Sequence, residues 1–389
     1  MKSPLAELNM RYFNSANGLS IVFCLLLFCS CADRQQSDSC PVLRVSLEQQ
    51  EVSMKDLFGR LEVIPLETSD SCLLVFPDKV LCANGRYEVF DHKRYALFLF
   101  DENGRFIRQV GRRGQGLGEY REVYDVAHDS RNGNICLLSP FWEMFVYDAE
   151  GRFLERLQLP EKSNYQAVMD YGDYFVTWTL PMTNEECGIS VISKDSLQCV
   201  REYWHGNSNL MSLYPRAFHL YGEELYFFRP FQREVYRLGL DSMQVGYQWD
   251  FGSDNYSIED FGFSLKEKGD GQERDGLIKK LQESTIPYFF QENSQNDKYY
   301  YAQLIFGFSP LVGHYNIFYR KSDDKSFFFR ETTEGVMLKT VYFCDDFLLS
   351  LASYEDMEAY KHVLDEQEFA KLKGRTEEDN PFLVKCYFK

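Results

Sequence analysis

The sequence predicts an all-β fold, a six-bladed β-propeller of four-stranded antiparallel blades. A repeated hairpin is the first reason. Phe98–Ile107 (FLFDENGRFI) returns 47 residues later as Phe145–Leu154 (FVYDAEGRFL), each a strand, an acidic turn closed by glycine, and a second strand. Chain length is the second. After the leader, the lead-in and one polar insertion are set aside, about 285 residues remain, enough for about six units at the 40–50-residue period of propeller blades. The third is composition: aromatic residues make up 16% of the chain, with 33 Phe and 26 Tyr, which suits packing on pleated surfaces.

In chain order, residues 1–30 read as a signal peptide. Lys2 and Arg11 supply positive charge, and Leu19–Ser30 (LSIVFCLLLFCS) is an apolar run too short to span a bilayer. Either Met1 or Met10 serves as the start. Cys31, preceded by small residues, reads as a lipidated cysteine, the other reading being ordinary cleavage without lipid. Residues 31–56 are a tether and lead-in, and 57–389 form the propeller. The expected location is the periplasmic face of the outer membrane or the cell surface, held by the lipid.

Leu61–Thr68 reads as a strand with a break at Pro65. Short runs at Lys79–Cys82, Tyr87–Asp91 and Tyr95–Phe100 lead into the first hairpin, and Ile135–Leu138 with Phe145–Tyr147 continue the second blade. Tyr174–Trp178 and Ile189–Ile192 fit the third, and Leu225–Phe228 and Glu234–Leu238 the fourth. Phe306-Gly307-Phe308, Asn316–Tyr319 and Ser326–Phe329 fit the fifth; Lys339–Phe343, Phe347–Leu351 and Phe382–Tyr387 fit the sixth. Residues 253–300 read as a polar insertion with a helical piece around 275–283, and deletion of Asp254–Asn296 is predicted to leave the ring folded. Residues 356–372 read as a helix opened by a Ser353/Asp356 capping box and ended by Gly374. The tail strand is predicted to close the ring by pairing with a strand near Leu61–Leu66.

On Ile64-Pro65-Leu66-Glu67-Thr68, the Phe100-Asp101…Gly104-Arg105-Phe106 hairpin, Gly111–Tyr120 (GRRGQGLGEY) and Glu378–Val384 (EDNPFLV), the chain resembles the six-bladed β-propeller lipoproteins of Bacteroidota, related in shape to NHL-repeat proteins. Leu117 stands where that family usually has proline. The resemblance implies the fold and export and carries no general activity.

The net charge of −17 repels phosphate backbones, so no nucleic-acid partner is expected. Gly111, Gly114, Gly116 and Gly118 could form a backbone nest for an anion, with Arg105, Arg108, Arg112 and Arg113 near; the alternative is a blade-to-blade crossing that needs glycine dihedrals. The six histidines (His92, His128, His205, His219, His314, His362) show no ligand spacing, and a metal gathered from separate blades stays open, so metal and cofactors are unknown. Eight cysteines follow the lipid site without a zinc pattern; Cys187–Cys199 is the one named pair, against free buried thiols. No catalytic residue is assigned. Tyr299–Tyr301 and Phe327–Phe329 read as core between blades before they read as stacking platforms. The chain is therefore expected to be a lipid-anchored binding or scaffold module for an unknown protein, glycan or small molecule, and not an enzyme. The alternative is an NHL-like metal-dependent lactonase or lyase with its site in the central channel.

Overall fold

The structure, a computed structural model, describes residues 40–389 apart from 163, 180–186, 206–215, 264–278 and 308–312. Six four-stranded antiparallel sheets form a ring of six blades. Blade 1 is Pro77–Ala83, Arg86–Asp91, Ala96–Asp101 and Phe106–Val110, from the channel outward. Blade 2 is Asp125–Asp129, Asn134–Leu138, Glu143–Tyr147 and Phe153–Gln158; blade 3 is Tyr165–Tyr171, Tyr174–Thr179, Cys187–Ser193 and Cys199–His205. Blade 4 is Phe218–Tyr221, Glu224–Phe228, Glu234–Leu238 and Met243–Asp250; blade 5 is Phe289–Gln295, Tyr299–Ile305, His314–Arg320 and Lys325–Phe329. Blade 6 takes three strands from the end of the chain (Thr340–Phe343, Phe347–Ala352, Phe382–Phe388) and its outermost strand, Phe58–Pro65, from the start.

The repeated hairpin folds for a local reason. In blade 1, Asp101 Oδ1 accepts from the Asn103 and Arg105 backbone N–H groups; in blade 2, Asp148 Oδ1 accepts from Arg152 N–H. Both turns close on a glycine with positive φ, Gly104 at 79° and Gly151 at 76°. Gly104 has a second constraint: a Cβ there would lie 2.2 Å from the Pro65 carbonyl oxygen, so the blade 1 hairpin lies directly against the strand that closes the ring.

Alternate residues of each blade face the next blade, and the described residues gather into six apolar clusters, one per neighbouring pair. Tyr299, Tyr301, Phe327 and Phe329 are buried between blades 5 and 6, as the core reading expects. Closure of the ring is as predicted. Phe382–Phe388 pairs on one side with Phe347–Ala352 and on the other with Phe58–Pro65. Two of the motifs quoted above meet at this seam. Asn380, buried, donates to Glu67 O (2.6 Å) and Cys72 O (2.8 Å) and accepts from Leu74 N–H (2.8 Å), so its amide is fully used as a latch between tail and lead strand.

Four expectations need correction. First, the lead-in belongs to the fold. Val42–Arg44 adds to blade 4 as a fifth strand, parallel to Met243–Asp250, and Leu43, Val45, Val52 and Met54 are buried. Second, blade 5 begins at Phe289; Phe306 and Gly307 follow its second strand and do not form one. The stretch 253–300 thus contains the inner strand of a blade. Its earlier part also packs, with Ile258, Phe263, Leu281 and Ile286 buried against blades 3 and 4. Deletion of Asp254–Asn296 would remove a quarter of blade 5 and open the ring. Of the expected helix around 275–283, residues 279–283 are helical and 275–278 lie outside the described residues. Third, the expected helix 356–372 is two short pieces, Met357–Tyr360 and Glu366–Ala370, although the Ser353/Asp356 capping box is present. Glu368 accepts from Val63 N–H (2.6 Å) and Lys371 donates to Val63 O (3.2 Å), so this segment covers the outer edge of blade 6. Fourth, Cys187 lies opposite His205 and Cys199 opposite Ile192, at far ends of their strand pair, and Cys199 is a free thiol. Disulfide geometry needs Cα atoms within about 7 Å, which that register denies. The six other described cysteines are free as well. Residues 1–39, with Cys31, lie outside the described residues.

Candidate functional site

The inner strands enclose an axial cavity of about 420 Å³, lined by residues of all six blades. That volume lies within the range of about 300–1,000 Å³ usual for small-molecule sites. Where the inner strands begin, two cross-ring clamps tie the blades together. Lys79 of blade 1 donates to Asp125 Oδ1 (2.6 Å) and Val126 O (2.9 Å) of blade 2, and Asp125 Oδ2 accepts from Val168 N–H (2.8 Å) of blade 3. Arg216, just ahead of blade 4, donates to Thr340 O (2.7 Å) of blade 6 and lies 2.9 Å from Glu292 Oε2 of blade 5.

The clamps differ in completeness. Both oxygens of Asp125 and the Lys79 ammonium have partners. Glu292 Oε2 faces the guanidinium as a charge but receives no aligned hydrogen bond. Burial raises the Glu292 carboxyl above the usual carboxylate range, with Arg216 and Ser294 holding it down in part. Its neighbours share the condition. Asn293 Oδ1 accepts from Trp249 Nε1 (2.7 Å), leaving Asn293 Nδ2 unpartnered; Gln295 Oε1 accepts from Lys321 (3.0 Å), leaving Gln295 Nε2 unpartnered. His219 stacks on Tyr226 at 5.0 Å and 6°, and neither ring nitrogen has a partner. Burial, helped by Lys321, lowers its pKa to about 3, so the ring is neutral, with one donor and one acceptor nitrogen. These four side chains line the cavity and are at least nine-tenths buried. The unpartnered atoms themselves have almost no accessible surface, so they lie behind the cavity wall and not open to it.

The glycine crossing connects the outer strand of blade 1 to the inner strand of blade 2, and its nest already holds an anion from the chain itself. The Glu119 carboxylate accepts from Gly116 N–H (2.9 Å) and from Arg112 Nε (2.6 Å), and these bonds lower its pKa. A Cβ at Gly114 would overlap that carboxylate, and one at Gly118, where φ is 71°, would meet Phe153 at 2.6 Å. Gly111 lies against Tyr147 and Tyr120. Gly114 and Gly116 gather around Glu119, while Gly111 and Gly118 pack against aromatic rings.

The histidines are not brought together. His128 bonds Glu88 (2.5 Å), His314 bonds Gln303 (3.2 Å), His92 packs with Tyr95 and Tyr124, and His362 is exposed; the side chain of His205 lies outside the described residues. Among the described residues no three His, Cys, Asp or Glu side chains stand together as a metal set. The channel lining, with one carboxylate, two amides and one imidazole as its unpartnered groups, does not fit the resident ion that the lactonase or lyase alternative needs.

Sequence reasoning missed Glu292, Asn293 and Gln295, and named His219 only among the scattered histidines. One signal was available: Gln291–Asn296 (QENSQN) is a wholly polar run where the period calls for an inner strand, which is how a strand facing a polar channel reads.

The chain belongs to the family described as a domain of unknown function, DUF4934, which matches residues 41–387. That span begins just ahead of the fifth strand of blade 4. The fold is similar to that of a Bacteroides fragilis protein named as exported, at 17% identity and a TM-score of 0.70, covering 90% of this chain and 99% of that one. It is also similar to a DUF4221 family member from Bacteroides vulgatus, at 10% identity and a TM-score of 0.54, covering 88% of this chain and 99% of that one. No curated protein matches the chain. Among the described residues, no helix is long and apolar enough to cross a membrane.

Proposed function

We propose that this DUF4934 propeller is an exported, lipid-anchored binding protein whose small-molecule ligand sits in the axial cavity. The observation that carries the reading is the 420 Å³ cavity itself, within the size range of small-molecule sites and lined by polar and apolar side chains of all six blades. A ring that needed only to be stable would fill that space with apolar side chains. Export is supported by the positively charged, then apolar, N-terminal segment and by the name of the Bacteroides fragilis neighbour; anchoring is supported by the cysteine at position 31 after that segment.

Two measurements test the reading. Cys31→Ala is expected to move the protein out of the membrane fraction or to block its maturation; an unchanged, acylated membrane pool would refute the anchor. Thermal-shift screening of the full chain against a library of small polar metabolites is expected to give stabilising compounds whose effect disappears in Glu292→Gln. A library without one stabilising member, or stabilisation that persists in the variant, refutes the cavity as the site.

A further inference from the structure

One end of blades 1 and 2 holds apolar side chains in water beside cations that have no counter-charge. The connection into blade 1 exposes Leu73, Val75 and Phe76, and the turn between the middle strands of blade 2 exposes Phe141 and Trp142. These are five of the fifteen large apolar side chains exposed among the described residues. A single exposed hydrophobe needs no explanation, but a contiguous group marks an interaction surface. Contacts across the two blades make this group contiguous. His92 N–H donates to Phe76 O (3.1 Å), and the Asp91 carboxylate accepts from the backbone N–H groups of Phe76 (3.0 Å) and Arg94 (2.9 Å). Tyr95 stacks on Tyr124 of the next blade, with centroids 5.8 Å apart. Arg113 lies over Tyr95 (5.7 Å) and donates from Nε to Arg121 O (3.2 Å), and Arg121 lies over the Phe141 ring (4.7 Å). The loops are thus fixed before anything binds.

Charge separates this surface from the rest of the protein. Lys93, Arg113 and Arg121 are exposed and Arg94 is half-buried, and among the described residues none of the four has a carboxylate within ion-pair distance. The nearby carboxylates are engaged elsewhere: Asp91 with backbone, Glu119 with Arg112, and Glu122 with the Tyr124 hydroxyl (3.4 Å). In a chain of net charge −17 this is a basic spot. At physiological salt, charges farther than about 8 Å are largely screened, so a partner meets the local cations and not the net charge. Trp142 adds an independent sign. Its φ of 66° lies in the left-handed region that bulky residues rarely adopt. The Trp142 carbonyl accepts from Leu159 N–H (2.8 Å), a backbone bond that any residue there can make. Glycine would take that dihedral without strain, so the exposed indole is kept at a conformational cost that the fold does not require.

We infer that this end of blades 1 and 2 docks an acidic segment of a partner protein, one with aromatic or aliphatic side chains between its carboxylates. The apolar side chains of the segment cover Phe76, Phe141 and Trp142, and its carboxylates meet Lys93, Arg113 and Arg121. An apolar centre with tryptophan and arginine is the usual make-up of an energetically dominant contact. A free anion would leave the rings in water. A lipid surface is disfavoured by placement, since the described chain enters the ring at Val42 on blade 4, across the ring from blade 1. None of these side chains lines the axial cavity, so the surface stands or falls apart from the small-molecule reading.

The experiment is fluorescence polarisation of the full chain in mild detergent with three sets of labelled synthetic peptides: acidic peptides with Phe, Trp and Leu at alternate positions; the same peptides with Lys in place of the acids; and acidic peptides with Ser in place of the apolar residues. Vesicles rich in phosphatidylglycerol form a fourth arm, read by co-sedimentation of the Cys31→Ala chain. The expected result is binding confined to the first set, weakened by added salt. It is expected to be about tenfold weaker or more in the Arg113→Glu/Arg121→Glu double variant and in Trp142→Gly. Trp142→Gly is expected to melt no lower than wild type, so its loss of binding is not a loss of fold. Absence of binding by the first set, equal binding by the third, or binding unchanged in both variants overturns the proposal. Vesicle binding that both variants abolish, with no peptide bound, overturns it in favour of a lipid surface.

Discussion

In blades 1–3 the channel mouth is tied by a lysine that reaches one carboxylate and one carbonyl, and the carboxylate passes the link on to a third blade through a backbone N–H. In blades 4–6 an arginine does the same work, from Arg216 to Glu292 and Thr340. The first tie is complete, and its half of the ring has a second one at the opposite strand ends, where the fully buried Lys194 ammonium bonds Asp129 of blade 2 (2.7 Å) and Asp170 of blade 3. The second tie leaves an oxygen without a donor, and the lining beside it leaves two amides and an imidazole short of partners. The contrast is confined to the clamps themselves, one satisfied and one not, for Asp78 Oδ1, Arg86 Nη2 and His92 Nδ1 of blade 1 lack partners as well.

The largest expected effect breaks both halves at once. Ending the chain at Asp379 removes the strand that pairs with Phe58–Pro65 and with Phe347–Ala352. Phe382, Leu383 and Val384 are fully buried, each worth about 1.5–3 kcal/mol. Loss of cooperative melting is expected; a truncated chain that melts at the wild-type temperature would show that the seam does not hold the ring.

Next comes the direct contrast between the clamps. Asp125→Ala leaves the largely buried Lys79 ammonium with the Val126 carbonyl but no counter-charge, and the Val168 N–H unpaired, and is expected to cost about 3–5 kcal/mol in chemical denaturation. Glu292→Gln is expected to cost less, because Arg216 keeps the Thr340 carbonyl and the carboxyl removed is one that burial already disfavours. Equal losses would erase the distinction between the clamps.

A smaller effect concerns pH. Asp78 stands at the mouth between the clamps; burial pushes its pKa from 3.8 up to about 6, with His92 and Arg216 pulling it down and Asp125 pushing it up. A carboxyl whose folded pKa exceeds its unfolded value binds more protons when folded, so its contribution is fully present below about pH 4 and is lost as pH rises through about 6. Asp78→Asn is expected to remove up to about 3 kcal/mol of that decline, read as the difference between variant and wild-type stability at the two ends of the window. Parallel pH curves would show that Asp78 keeps its ordinary pKa. The smallest expected effect is none: inorganic phosphate is expected to leave the melting temperature unchanged, since Glu119 fills the glycine nest, and a phosphate-dependent shift lost in Gly116→Ala would overturn that assignment.

What the sequence discloses and what it hides follow the same physical divide. The hairpins are legible because their turn chemistry is local, an aspartate bonding backbone two to four residues on. The seam is legible because Phe382–Val384 is apolar and β-prone. Blade 5 is misread because its inner strand carries the polar run Glu292–Gln295 beside the channel and so looks like loop. The clamps are hidden for a different reason: Lys79 meets Asp125 across 46 positions and Arg216 meets Thr340 across 124, with no periodicity to announce either.

The strand lent by the start of the chain to blade 6 also sets an order in time. Blades 1 to 5 each draw their four principal strands from one continuous stretch and can form as that stretch appears. Blade 6 cannot, for Tyr387 bonds Glu62 across 325 residues. Loop-closure entropy grows slowly with length, so the finished ring is not greatly penalised, yet contacts this distant form late. Phe58–Pro65 must therefore wait, made early and unpaired until the final residues arrive. Its sequence suits the wait. Arg60, Glu62 and Pro65 interrupt the apolar run, the means by which an unpaired strand is kept from joining the wrong sheet.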